Sequence, residues 1–221
     1  MSRIRILSGV APYDDPWHPF PQTSAAAADV LRAAGHAVEV MDSTPEALAT
    51  LDAVDLLVVN TGRGIEDGPG PDRDAWLHAF DHVTAWHDAG GVVLGLHTAA
   101  NTFHDWPQWP AILGGRWVAG TSFHPPLDEA RFTVVAGAEG HPALAGLEQV
   151  TAEDERYSAL VVNPDSTPLL HHHHEGVEEV MGWAAERAVY DGLGHDARSY
   201  QSASRRQLLV NEAAWLLSLR G

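Results

Sequence analysis

The chain has 221 residues, with 30 acidic and 13 basic side chains, 14 histidines, no cysteine and a formal charge of −17. Every basic residue is arginine, so disulfides, cysteine-ligated zinc, thiol catalysis, Schiff-base lysine chemistry and a phosphate-loop lysine are all excluded. A field this negative repels nucleic acid and anionic membranes and leaves neutral ligands such as sugars uncontested.

The segment from Met1 to Leu7 lacks the apolar core of a secretory signal, and no uncharged run approaches the roughly 18 residues of a membrane span. A soluble, cytoplasmic chain is expected, one that leaves room for a homo-oligomer. Ile4 to Val10 reads as a buried strand and Tyr13 to Pro21 as a loop. Thr23 or Ser24 is expected to cap a helix that Gly35 stops. Ala37 to Met41 is a second strand, Pro45 to Leu51 a short helix and Asp55 to Asn60 a third strand, opening into the glycine-rich loop Thr61 to Pro71. Asp72 is expected to cap a long helix carrying Trp76, Phe80, Val83 and Trp86, ended by Gly90-Gly91. Val92 to Leu96 is the fourth strand. Strands alternating with helices imply a parallel sheet covered on both faces.

After Pro107 short β-like pieces follow, at Phe132 to Val135, Ala159 to Val162, Pro168 to Leu170, Val180 to Ala184 and Ala188 to Tyr190. Turns rather than helices separate them, which predicts an antiparallel extension. A closing helix, Ser204 to Leu219, places Leu208, Leu209, Ala213, Leu216 and Leu217 broadly on one face. With no internal repeat and no linker, residues 1–221 read as one domain.

The fourth strand carries the strongest functional signal. Val92-Val93-Leu94-Gly95-Leu96 climbs to a small-residue turn that presents His97 and then Thr98-Ala99. Open α/β folds put their chemistry at such strand ends. In hydrolases and amidotransferases built this way the apex carries Ser or Cys; here it carries His97. Thr98 sits one place off the apex, and neither Ser122 nor Ser158 is followed by nucleophile-turn glycines, so serine hydrolysis is disfavoured. Other ligand-capable segments are Tyr13 to His18, Ser122 to Pro125, Asp154 to Tyr157 and Gly192 to Asp196. If they converge they supply acid, base and hydrogen-bond donors. His18, His97, His124, Glu155 and His195 also suit a divalent, zinc-like metal, although no compact ligand motif occurs, so such a site must be assembled by folding. In extended backbone His171 and His173 would share one side and His172 and His174 the other. Metal capture is the sharper reading of that run; its composition favours a solvated loop beside Glu175-Gly176.

The order of these motifs resembles the trehalose-utilisation (ThuA-like) family. The resemblance runs nearly end to end, through Gly90-Gly91, Gly95 to Ala99, Trp109 with Ile112 to Gly115, His124-Pro125, His141-Pro142, Gly146-Leu147, Asp154 to Tyr157, Gly182 to Ala184, Val189-Tyr190 and Gly192 to Asp196. It implies a three-layer α/β sandwich with a mostly parallel, flavodoxin-like sheet, similar to class I glutamine amidotransferases, but not their thiolate chemistry. It also implies sugar catabolism by way of 3-keto sugars. A ketone at carbon 3 acidifies the proton on carbon 2, and the resulting enolate can expel the group on carbon 1 or be reprotonated. On that implication Glu155 or His195 is the base, His97 and His124 are acid or enolate donors, and Tyr157 is a further donor. His18 and Thr98 contact substrate, and Trp17 or Trp183 stacks on the sugar. A non-catalytic sugar-binding or regulatory protein and a metal-dependent hydrolase are the alternatives. Two departures from the family pattern stand out. Asp14-Asp15 lies upstream of His18 instead of a His-Asp pair, which leaves the role of His18 open. The short turn Trp183 to Ala188 predicts a trimmed substrate lobe.

Overall fold

The computed structural model describes residues 1–64 and 72–220. Most of the expected glycine-rich loop, Thr61 to Pro71, therefore lies outside the described residues. Strands β1 (Arg3–Ser8), β2 (Ala37–Asp42), β3 (Leu56–Asn60) and β4 (Val92–Leu96) alternate with helices α1 (Phe20–Ala33), α2 (Pro45–Leu48) and α3 (Arg73–Asp88). Helix α4 (Trp109–Leu113) and strands β5 (Gly115–Arg116), β6 (Asp128–Val134), β7 (Gln149–Asp154), β8 (Val161–Val162), β9 (Thr167–His174), β10 (Val177–Ala184) and β11 (Ala188–Asp191) follow, and helix α5 (Ala203–Ser218) closes the chain.

Nine strands form one sheet in the order β2-β1-β3-β4-β11-β10-β9-β6-β7, and β5 pairs with β8 in a second, small one. The first five are mutually parallel and the rest antiparallel. Side chains alternate across the sheet, as a period of two requires. Ile4, Ile6, Leu56, Val58, Leu94 and Leu96 pack with Leu31 of α1 and with Leu208, Leu209 and Leu216 of α5. Leu57, Val59 and Val93 pack with Trp76, Phe80 and Val83 of α3 and with Leu113 of α4. The result is the expected three-layer α/β sandwich. Gly95 is required for this packing, because a Cβ there would stand 2.5 Å from Leu113 Cδ1.

Several local expectations are corrected. Helix α1 begins before Thr23 and Ser24, with Pro21 in its first turn where a missing N–H is harmless. The hydroxyls of Thr23 and Ser24 instead accept from the Asn60 amide, each at 2.8 Å. Asp72 sits at the start of α3 without a capping hydrogen bond. Strand β11 is parallel to β4, not part of the antiparallel addition. Strand β7 was not foreseen: Gln149 to Asp154 is polar, and only Val150, Ala152 and Asp154 turn inward. The Trp183 to Ala188 turn lies at the amino end of β11, the sheet edge opposite His97, so its brevity trims nothing from the site. His171 to His174 is the end of strand β9, not a solvated loop, and His171 and His172 are buried. Among the described residues no helix is long and apolar enough to cross a membrane.

Candidate functional site

Strands β1, β3, β4, β11 and β7 all run the same way, so the segments following them gather above one edge of the sheet. His97 leaves β4 with a left-handed backbone, φ 45°, a conformation that costs a non-glycine residue about 1–3 kcal/mol and recurs at functional turns. Two contacts hold it there. Tyr190 Oη donates to the His97 carbonyl at 2.8 Å, and His97 Nδ1 lies 2.8 Å from the Gly192 carbonyl oxygen. A carbonyl only accepts, so Nδ1 carries the proton and Nε2 faces inward. His18 is oriented in the same manner, its Nδ1 2.7 and 2.8 Å from the two carboxylate oxygens of Asp15. That answers the question raised by the displaced acidic pair: Asp15 serves from three residues upstream. Burial holds the His18 imidazole below its ordinary pKa despite Asp15, while His18 holds the Asp15 carboxyl low against burial.

Glu155 follows β7 and meets these rings. Its Oε2 lies 3.4 Å from His97 Nε2 and 3.3 Å from His195 Nδ1, and its Oε1 3.3 Å from His124 Nδ1. Burial opposes ionising Glu155, but His195 and His97 outweigh it and hold the carboxyl far below the usual carboxylate range. His195 is pushed up: burial opposes its charge, and Glu155 overcomes that. Asp154, fully buried, fixes the two partners together. Its carboxylate accepts from the backbone N–H of Glu155 at 3.0 Å, of Gly194 at 2.8 Å and of His195 at 3.1 Å.

His18 Nε2, His97 Nε2, His195 Nδ1 and Glu155 Oε2 are all buried without a hydrogen-bond partner. The four residues offer ligand atoms that lie within 4.8 Å of one another. Charge-assisted hydrogen bonds would be about 2.7–2.9 Å. Ligand atoms bonded at about 2.0–2.1 Å around a tetrahedral zinc ion stand roughly 3.3–3.4 Å apart. The Glu155 contacts match the second spacing, and Asp15 and the Gly192 carbonyl supply the outer contacts that orient metal-bound histidines. These residues therefore fit a divalent transition-metal ion.

A cavity of about 610 Å³ opens onto this cluster, with Asp15, His18, Glu155 and His195 in its wall. Trp17, 73% exposed, stands on its rim. Thr98, Tyr157 and His124 line it too, and the buried Thr98 Oγ1 has no partner. The Tyr157 ring lies over His97, centroids 4.2 Å apart, and burial pushes its phenol well above the ordinary range. One sequence expectation fails here. Trp183 is wholly buried and donates to the Leu113 carbonyl at 2.8 Å, so it is core and not a sugar platform. His124 stays outside the four-membered cluster; it is half-exposed and also lies 3.1 Å from the Pro125 carbonyl. The sequence reading missed Arg63, Asn101 and Trp117 in the wall. Trp117 packs edge-on against Tyr157 at 4.7 Å, and its position directly after Gly115-Arg116 was the available signal.

An open, mostly parallel sheet with His97 at the turn after its central strand, in a chain without cysteine, defines a glutamine amidotransferase-like fold that lacks the thiol. The chain belongs to the ThuA family, described as trehalose utilisation, whose pattern matches residues 14–216. It is similar to a ThuA-like protein from Parabacteroides merdae, 18% identical, with a TM-score of 0.77 over 98% of this chain and 90% of that one. A ThuA-like protein from Bacteroides uniformis is 19% identical, with a TM-score of 0.75 over 97% and 91%. A glutamine amidotransferase from Thermotoga maritima is 11% identical, with a TM-score of 0.56 over 98% of each chain. At these identities the likeness is one of fold. No curated protein matches the chain.

Proposed function

We propose that this protein is a metal-dependent enzyme of carbohydrate catabolism acting on 3-keto sugars or 3-ketoglycosides. The observation that carries the reading is the set of four unpartnered ligand atoms, from His18, His97, His195 and Glu155, at the foot of a sugar-sized cavity. Family membership in trehalose utilisation supports the substrate class. The wall does so as well, since Trp17 and Trp117 offer aromatic faces while Asn101, Arg63 and Thr98 offer polar contacts.

A divalent ion held by these residues would supply positive charge against the oxyanion that develops when a ketone enolises. The chain's own groups do the rest. Glu155, ionised and committed to the cluster, is too weak a base for the carbon 2 proton. His124 faces the same cavity and its Nδ1 proton is directed at the Pro125 carbonyl, so its Nε2 is left to take that proton and return it to the leaving oxygen or to carbon. Tyr157, held protonated, donates. Trp17 covers a sugar face, and Thr98 Oγ1 offers a hydroxyl at the cavity floor. Expulsion of the carbon 1 substituent followed by water addition gives cleavage; delivery of the proton to carbon 3 of the enediolate, with the carbon 2 hydroxyl proton passing to the carbon 3 oxygen, moves the ketone to carbon 2 and gives isomerisation.

The test is incubation of zinc-, cobalt- or manganese-loaded protein with 3-ketotrehalose and 3-ketoglucosides, following glucose release and loss of the ketone. Metal-dependent turnover supports the reading. Unchanged substrate across the panel, with folded and metal-replete protein, removes it. The same cluster would equally serve a metal-dependent hydrolase, so unoxidised glycosides and simple esters belong in the panel; turnover of these alone would reassign the substrate.

A further inference from the structure

The run His171 to His174 takes no part in the cavity, yet the sheet register gives half of it a partner. In the β9–β10 hairpin Glu178 is opposite His173, and Val180 is opposite His171. Alternation along β9 puts His171 and His173 on one face, their rings 5.3 Å apart. His171 Nδ1 and His173 Nε2 each lie 3.7 Å from Glu178 Oε1, and the three residues offer ligand atoms within 4.8 Å of one another. His171 is buried, and its Nδ1 has no hydrogen-bond partner. The opposite face is differently occupied. His172 Nε2 lies 2.9 Å from the Tyr157 carbonyl, and the His174 ring packs against Phe123 at 5.4 Å.

We propose that His171, His173 and Glu178 form a second metal site, on the hairpin, for a borderline divalent transition-metal ion such as zinc, nickel or cobalt. Two imidazoles disfavour calcium and magnesium, which take oxygen ligands. The spacing of 3.7 Å exceeds the edge of a tetrahedral zinc site by only a few tenths of an ångström. Three protein ligands leave a coordination position open to water. The site is weaker than the one at the cavity, because the exposed side chains of His173 and Glu178 must be ordered when the ion binds.

The experiment is calorimetric titration of metal-free protein with zinc and, separately, nickel, with a chelator of known affinity resolving the tight event. Wild type is expected to bind two ions per chain, one tight and one weak. His173→Ala and Glu178→Gln, both at exposed positions, abolish the weak event or weaken it at least tenfold and leave the tight one. Glu155→Gln impairs the tight event and leaves the weak one, so the two sites fail separately. His174→Ala, on the opposite face, changes neither. A single event unaffected by His173→Ala and Glu178→Gln overturns the proposal, as does a weak event that survives both variants or disappears with His174→Ala.

Discussion

Two buried polar clusters lie on either side of the Asp191 to His195 segment, and they are built on opposite plans. Beneath it Asp191, Arg205 and Glu212 are sealed from solvent, and they neutralise one another. Arg205 Nη1 lies 2.8 Å from Asp191 Oδ2 and its guanidinium sits 4.9 Å from the centre of the Tyr200 ring. Burial raises both carboxyls, but Arg205 and the Leu193 N–H draw Asp191 back, so the proton rests on Glu212, raised further by Asp191. Above it the ring nitrogens and Glu155 Oε2 point at one another with no bond made. Burying polar atoms without partners opposes folding by about 1–3 kcal/mol each. Asp191 Oδ2, Arg205 Nε and Nη1 and Glu212 Oε2 also lack a well-directed hydrogen bond, but the lower cluster carries its own cation in Arg205, whereas the upper one gathers imidazoles and a carboxylate with no arginine among them.

The contrast can be broken first at Arg205. Arg205→Met leaves the Asp191 charge buried and uncompensated and is expected to cost about 3–5 kcal/mol in urea unfolding; a loss under 1 kcal/mol would show that the lower cluster is not an ion pair. Next is Glu155→Gln, expected to reduce kcat/KM by about 100-fold or more. Metal at a hundred times its dissociation constant should stabilise wild type by about 2.7 kcal/mol, and this variant should lose most of that gain. Asp15→Asn frees the His18 ring and should weaken metal binding by about 10–100-fold, as read by chelator competition, with the fold intact.

Glu212→Gln sharpens the comparison through pH. In wild type the folded state keeps the Glu212 proton above the pH at which the unfolded chain loses it, so folded protein binds more protons and stability falls as pH rises. The amide carries no titrating proton. The variant should match wild type within about 1 kcal/mol at pH 4 and gain on it steadily towards pH 8, seen as a flatter dependence of Tm on pH. Trp17→Ala is the mildest change. An exposed rim residue should leave stability within about 0.5 kcal/mol and raise KM about 3- to 10-fold through lost stacking.

What the sequence made legible follows from what each signal physically reports. Apolar periodicity reports burial, so the strands around Ile4, Leu57 and Leu94 and the buried face of α5 were readable. The small-residue turn after Leu96 reported a strand-end apex, and His97 is there. Periodicity is silent for β7, because Glu153 and Asp154 interrupt it although the backbone is extended. Nor does it tell a packed indole from a stacking one: Trp183 lies in the core and Trp117 lines the cavity. The service of Asp15 to His18 depends on the bend of a loop, and the partnership of His173 with Glu178 depends on hairpin register. Both are pairings between segments, which one-dimensional patterns do not record.

The three backbone N–H groups gathered on the Asp154 carboxylate have a consequence for any change made there. They tie the Glu155 and His195 segments into one jaw, so neither can swing without dragging the other. A substitution that removes the Asp154 carboxylate is therefore expected to disturb Glu155 and His195, two of the four ligand groups, together.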